Sequence, residues 1–143
     1  MKFKNMFSPI QIGPMTVKNR FVVPPMGNNF ANSDGTWSDE SVAYYGERAK
    51  GQFGLITIEA TVVHKGAKGG PKKPCLYDDN SIESLKKITD ACHEEGAKVS
   101  IQLQNAGPEG NAKNAGAPIQ AATAIASADG RDIPEEVSTA KSV

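Results

Sequence analysis

Residues 97–108, AKVSIQLQNAGP, begin with alternating apolar and polar residues, and every second position is apolar as far as Leu103. The apolar members are Val99, Ile101 and Leu103, and Leu103 is expected to point to the helical layer, so that its truncation would cause a core-sized loss of stability. A period of two predicts a strand with two different faces, and Gly107-Pro108 ends the strand because these residues stop both pairing and helix. Gln102 therefore lies near the carboxyl end of a strand, where α/β folds bind ligands. An ordinary solvated amide is the alternative interpretation of Gln102.

The rest of the pattern predicts a small set of β and α elements in alternation. These are a hairpin over residues 8–18, strands near 20–24, 53–59 and 98–103, and helices near 39–50 and 81–95. Ser38 and Asn80 are the predicted helix caps, because their side chains can accept from the first free N–H groups. The first two strands are apolar on both faces, as in a sheet covered by helices. The order predicts a parallel sheet of the α/β class with right-handed crossovers.

In such a sheet three strand ends point to one side. They are Pro24–Gly27, Ala60 and Gln102–Asn105. This convergence makes the carboxyl-terminal edge the predicted site, and it makes a functional amide at Gln102 as well supported as a solvated one.

The chain changes character after residue 104. Residues 105–143 contain no aromatic residue and no sustained period, which predicts a long loop or tail after the ordered β/α units of residues 1–104. Three parallel strands cannot close a barrel, and they leave sheet edges unpaired. The sequence is therefore expected to be an incomplete chain.

Composition excludes several function classes. The 16 basic and 16 acidic residues cancel, and no basic run suggests nucleic acid or an anionic membrane as a partner. Apolar runs are far shorter than the ~20 residues that span a bilayer, and no signal peptide is present, so a cytoplasmic location is expected. The two cysteines, Cys75 and Cys92, are too far apart for a metal motif, and no metal site is expected.

The segment Gly66–Pro74, GAKGGPKKP, admits two interpretations. A glycine and lysine loop can cradle a phosphate. This one lacks the Gly-Lys-Ser/Thr ending and does not open a helix at once, so a solvated lysine loop is favoured.

Three longer motifs carry a family resemblance. They are FSPIQIGPMTVKNRFVVPPMGNN, YYGERAKGQFGLITIEATVV and VSIQLQNAG, with a weaker PIQAATAI followed by PEEV. Together, and in this order, they resemble the amino-terminal part of the Old Yellow Enzyme family of NADH:flavin oxidoreductases over residues 5 to about 137. The branch with 2,4-dienoyl-CoA reductase, trimethylamine dehydrogenase and the bile-acid enoate reductases is the most similar.

The resemblance implies a (β/α)8 TIM barrel, of which this chain supplies the hairpin and about three β/α units. FMN would lie at the carboxyl ends of the strands, with NAD(P)H as reductant and a small-molecule alkene as substrate. The implied flavin contacts are Pro24, Pro25, Met26 and Gly27 after the first strand, Ala60 after the second, and Gln102 at the pyrimidine edge. The full-length protein is expected to be a homo-oligomer.

The same resemblance limits what this portion can do. It holds no catalytic residue of the family, because the substrate-binding histidines, the flavin-contacting arginine and the phosphate loops belong to the second half. An iron–sulfur cluster could lie only beyond the end of the chain. Asn105 and Pro108 stand where the family usually has His and Arg. A catalytically inert fragment or pseudoenzyme segment is therefore the alternative to an ene-reductase.

Overall fold

The first helix begins at the residue that the sequence assigns as its cap. A computed structural model describes residues 3–138, and in it Ser38 Oγ accepts a hydrogen bond from the Ser41 N–H at 3.2 Å. Asp39 and Glu40 follow in the first turn, where negative charge interacts favourably with the helix dipole. The helix then presents Tyr45 and Ala49 to the core.

The structure orders the elements as follows. The strands are β1 (Ile10–Ile12), β2 (Met15–Val17), β3 (Val22–Val23), β4 (Leu55–Val62), β5 (Lys98–Gln104), β6 (Gln120–Ala121) and β7 (Glu135–Glu136). The helices are α1 (Asp39–Lys50), α2 (Ile82–Glu94) and α3 (Ala112–Ala115), with 3-10 turns at Lys65–Ala67, Asp79–Ser81 and Gly107–Glu109.

Replacing Ser38 by alanine should lower the free energy of unfolding by about 1 kcal/mol, because a free N–H of the first turn of α1 loses its acceptor. Ser38→Asn keeps a capping oxygen and should lose much less. Urea unfolding of the 143-residue chain measures both. Equal losses for the two variants would show that the cap contributes nothing.

The predicted cap of the second helix is wrong. Asn80 lies inside the 3-10 turn Asp79–Ser81, and its N–H donates to Asp78 Oδ1 at 3.0 Å. Helix α2 begins only at Ile82, with no side-chain cap. The reason is local: the Asp78 carboxylate bonds the backbone two residues on and starts a tighter turn before the α-helix.

The central sheet has the predicted order. Strands β3, β4 and β5 are parallel neighbours in chain order, with Val23 opposite Ile56 and Val99 also opposite Ile56 on the other side. Ile56 and Ile58 are fully buried against α1 and α2. The core therefore lies between the sheet and its two helices.

Leu103 departs from the predicted strand pattern. Val99 and Ile101 pack against the core, but Leu103 is 63 % exposed. Alternation places the three residues on one face of β5, and the extra residue of the β4–β5 ladder lies in β4, between Ile58 and Thr61, so it does not change the face of Leu103. No element of residues 3–138 covers the Leu103 side chain, which was expected to point into the helical layer.

The β1–β2 hairpin lies at the amino-terminal edge of the sheet. Lys18 Nζ, just after the hairpin, donates to the Glu95 carbonyl at 2.6 Å, in the turn before β5. Asn19 Nδ2 donates to the Gln52 carbonyl at 2.6 Å, in the turn before β4. These contacts leave the opposite, carboxyl-terminal edge to the loops.

The segment after residue 104 contains more regular structure than its sequence predicts. Strands β6 and β7 pair in parallel, and α3 ends at Gly116, which has a φ of 62°. Elements of two to four residues are too short to show a period, which is why the pattern did not predict them. The segment packs on the loop after β4, where the Ala106 N–H donates to the Ala67 carbonyl at 3.1 Å.

Candidate functional site

The carboxyl ends of the three parallel strands meet at one edge of the sheet. The loop that follows β3 contains Pro24–Gly27, the end of β4 contains Ala60, and the end of β5 contains Gln102. Because the strands are parallel neighbours, these three segments are adjacent in space. The structure thus brings together the three segments that the sequence analysis selected.

An irregularity in the β4–β5 ladder brings Ala60 next to Gln102. Ile58 pairs with Ile101, and the next pair is Thr61 with Leu103, so Glu59 and Ala60 together oppose Gln102. A bulge of this kind re-aims side chains locally and is common beside active sites. It places the small Ala60 and the amide of Gln102 opposite each other on the neighbouring strands β4 and β5.

The predicted site residues are accessible to differing degrees. Exposed are Pro24, Met26, Gly27 and Gln102; half-buried are Pro25 and Ala60. Within residues 3–138 the amide of Gln102 makes no hydrogen bond. Its donor and acceptor are therefore available to a ligand that offers a polar edge.

A buried carboxylate lies beside these residues and was missed by the sequence reasoning. Glu59 is 0 % exposed, and its Oε2 accepts a hydrogen bond from the Asn28 N–H at 3.2 Å. Its Oε1, like the Nδ2 of Asn28, is buried without a hydrogen-bond partner among the described residues. Burial raises the pKa of Glu59, while the Asn28 hydrogen bond and the positive charge of Lys73 oppose that rise. Glu59 is the single charged residue of the strand LITIEATV, and this isolated charge was the signal that could have found it.

Tyr45 ties this part of β4 to helix α1. Its hydroxyl oxygen accepts a hydrogen bond from the Glu59 N–H at 3.0 Å, deep in the core. Burial raises the pKa of Tyr45 above its usual range, so the phenol is neutral at physiological pH. This hydrogen bond connects the backbone of the bulge to helix α1.

Gly27 lies against two charged groups. A Cβ added there would be 3.2 Å from Lys73 Nζ and 3.9 Å from Glu59 Oε2. A side chain at position 27 would therefore require the ammonium group to shift by a few tenths of an ångström.

The lysine loop after β4 is less solvated than predicted. Lys68 is only 4 % exposed, and its Nζ donates to the Ser33 carbonyl at 3.1 Å. Its own carbonyl accepts from the Asn111 N–H at 3.1 Å. Lys72 is exposed and Lys73 half-buried, so the expectation of a solvated loop is correct for Lys72 and wrong for Lys68. Lys68 connects two loops, because the long apolar part of its side chain can be buried while its ammonium group donates a hydrogen bond to a carbonyl.

A family model of the NADH:flavin oxidoreductase / NADH oxidase family matches residues 5–141. The chain belongs to this family. The cluster of strand ends described above therefore lies in a member of a flavin oxidoreductase family. The more specific assignment to one branch does not follow from the match.

Solved structures of the same kind are similar over nearly the whole chain. An Old Yellow Enzyme from Trypanosoma cruzi is 30% identical with a TM-score of 0.84, and 99% of this chain covers 44% of that one. The Old Yellow Enzyme from Pichia sp. AKU4542 is 29% identical, with a TM-score of 0.84 and coverage of 96% and 38%. A 2-naphthoyl-CoA reductase in complex with 2-naphthoyl-CoA is 28% identical, with a TM-score of 0.86 and coverage of 97% and 23%.

These similarities confirm the predicted fold class. The family member has the α/β fold of the amino-terminal part of the Old Yellow Enzyme barrels, and it spans less than half of their length. Across residues 3–138 no helix is long and apolar enough to cross a membrane. In the same range no group of His, Cys, Asp and Glu side chains could hold a metal ion.

The residues at the strand ends fit a flavin. The isoalloxazine ring is flat and has a polar pyrimidine edge, and the site offers an unpaired amide at Gln102 beside a small residue, Ala60. Gly27 presents only backbone at the next strand end. A planar ligand with hydrogen-bonding atoms along one edge suits this combination of small residues and a free amide.

Proposed function

We propose that the protein is an FMN-dependent oxidoreductase that passes a hydride from NAD(P)H to the activated double bond of a small alkene. The observation that carries the proposal is the bulge that sets Ala60 and the unpaired amide of Gln102 side by side at the carboxyl edge of the sheet. Family membership supports the same cofactor.

Each predicted residue then has a role in holding the cofactor. Pro24, Pro25, Met26 and Gly27 form the segment that passes the flavin after β3, where two prolines keep the backbone extended and rigid. Ala60 leaves room for the ring, and Gln102 hydrogen-bonds the pyrimidine edge. FMN, when bound, accepts and delivers the hydride, and the protein supplies binding, orientation and charge.

The substrate class is an enone, an enoate or an enoyl-CoA-like thioester. We assign the chain to the branch with 2,4-dienoyl-CoA reductase, trimethylamine dehydrogenase and bile-acid enoate reductases, because its three longer motifs resemble that branch most. The similarity to a reductase that binds 2-naphthoyl-CoA supports a thioester substrate. The iron–sulfur cluster, the homo-oligomeric state and the cytoplasmic location stay predictions.

The natural gene product that carries this sequence should purify yellow and retain FMN through gel filtration. It should oxidise NADH or NADPH only when an alkene acceptor is added, with 2-cyclohexenone and crotonyl-CoA as probes of the two substrate classes. Absorbance near the flavin bands and the loss of NAD(P)H absorbance measure the two properties. A colourless protein that no added FMN binds would contradict the proposal.

The alternative, a segment without activity of its own, is tested by the 143-residue chain in the same assays. This chain spans 38% to 44% of three Old Yellow Enzymes that it matches. We expect it to bind FMN weakly and to oxidise no NADH, since most of the barrel that surrounds the cofactor in the relatives is absent from it. If the natural gene product behaves in the same way, the inert alternative replaces the proposed function.

A further inference from the structure

A lysine ammonium lies in the space that a side chain at position 27 would fill. Lys73 Nζ is 3.2 Å from the position of a Cβ at Gly27, a contact tighter than most real Cβ atoms make. Gly27 is exposed at the strand-end edge. The absence of a side chain at Gly27 therefore lets a positive charge reach the surface of the proposed flavin cleft.

The buried carboxylate explains why the ammonium lies there. Glu59 Oε2 is 3.9 Å from the same Cβ position, so Glu59 and Lys73 both lie beside Gly27. Removing a carboxylate from water is costly, and a nearby positive charge offsets part of that cost. Lys73 is the lysine whose charge acts on Glu59.

The position of Lys73 is defined, but its hydrogen-bonding capacity is not used. Its side chain lies beside Gly70, where an added Cβ would be 3.5 Å from Lys73 Cγ. In the described part of the chain, Lys73 Nζ makes neither a hydrogen bond nor an ion pair. Its neighbour Lys72 is exposed and has no such surroundings.

We propose that Lys73 tunes the flavin: its ammonium, admitted by Gly27 and attracted by Glu59, faces the bound cofactor and favours the reduced over the oxidised form. This inference rests on the proposed function. Reduced flavin carries more negative charge than oxidised flavin, so a fixed positive charge nearby stabilises the reduced form selectively. A packing role alone would change the affinity of both forms equally.

The test measures the midpoint potential of FMN in the natural gene product by spectroelectrochemical titration. Lys73→Met keeps the length of the side chain and removes its charge. It should weaken the preference for reduced over oxidised FMN about tenfold, which lowers a two-electron potential by about 30 mV. Lys73→Arg should keep the potential, and Lys72→Met, one residue away and exposed, is the matched control that should leave it unchanged.

A second variant tests whether the missing side chain at Gly27 leaves room for the Lys73 ammonium. Gly27→Ala should lower the potential in the same direction but by less, because the added Cβ pushes Lys73 Nζ aside by a few tenths of an ångström. Lys73→Met in the Gly27→Ala background should then have a smaller effect than in the parent, since both changes weaken the same interaction.

The outcomes separate this inference from the proposed function. If the parent protein binds no FMN, both are overturned. If the parent binds FMN but Lys73→Met and Lys72→Met have the parental potential, only the tuning role of Lys73 is overturned. A lower potential in Lys73→Met alone, restored by arginine, supports it, and circular dichroism of each variant confirms that the fold is retained.

Discussion

Replacing Ile58 by alanine is expected to lower the free energy of unfolding of the 143-residue chain by about 2–5 kcal/mol. Ile58 is 0 % exposed and belongs to the core between the sheet and helices α1 and α2. Truncation removes buried methyl groups and leaves a cavity, because the rigid sheet and the two helices can close it only partly. Urea unfolding followed by circular dichroism measures the change.

Leu103→Ala is the matched control on the neighbouring strand. Leu103 is 63 % exposed, so its truncation should change the free energy of unfolding by no more than about 0.5 kcal/mol. The sequence pattern alone assigned Leu103 to the helical layer and predicted a core-sized loss for this change. Losses of similar size in Ile58→Ala and Leu103→Ala would support the sequence pattern against the structure.

Gln102→Leu should raise the dissociation constant of FMN in the natural gene product by roughly ten- to a hundredfold. The two side chains are similar in size, but leucine cannot donate or accept. The polar edge of the bound ring would then be left without its partner, which costs about 1–3 kcal/mol. Fluorescence titration of the apoprotein with FMN measures the affinity, and thermal unfolding checks that the fold is retained.

Gln11→Leu is the control for this substitution. Gln11 is an exposed amide on β1, in the hairpin at the opposite edge of the sheet, and its Oε1 accepts from Thr16 Oγ1 at 2.7 Å. Its replacement should leave FMN affinity unchanged. If Gln102→Leu binds FMN as tightly as the parent, the assignment of the end of β5 to the flavin is wrong.

The sequence by itself determined the order of the β and α elements and the edge at which the proposed site lies. Local chemistry was enough for this: apolar periods distinguish strand from helix, Ser38 offers a cap, and Pro24-Pro25 ends a strand. Because the carboxyl ends of parallel strands lie at one edge of a sheet, the sequence alone placed Gly27, Ala60 and Gln102 together. The start of α2 shows that two neighbouring polar residues can compete as caps. The Asp78 carboxylate, and not the Asn80 side chain, forms the turn before α2.

Only the tertiary structure decided what covers each residue. A period of two states which residues share a face, but exposure depends on elements that are distant in the chain, which is why Leu103 proved to be exposed and Lys68 buried. The bulge opposite Gln102 exists only in the pairing of β4 with β5, since neither strand shows it alone. The convergence of Glu59 and Lys73 on Gly27 likewise comes from three segments that meet only in the fold, where burial of the carboxylate makes a nearby positive charge favourable.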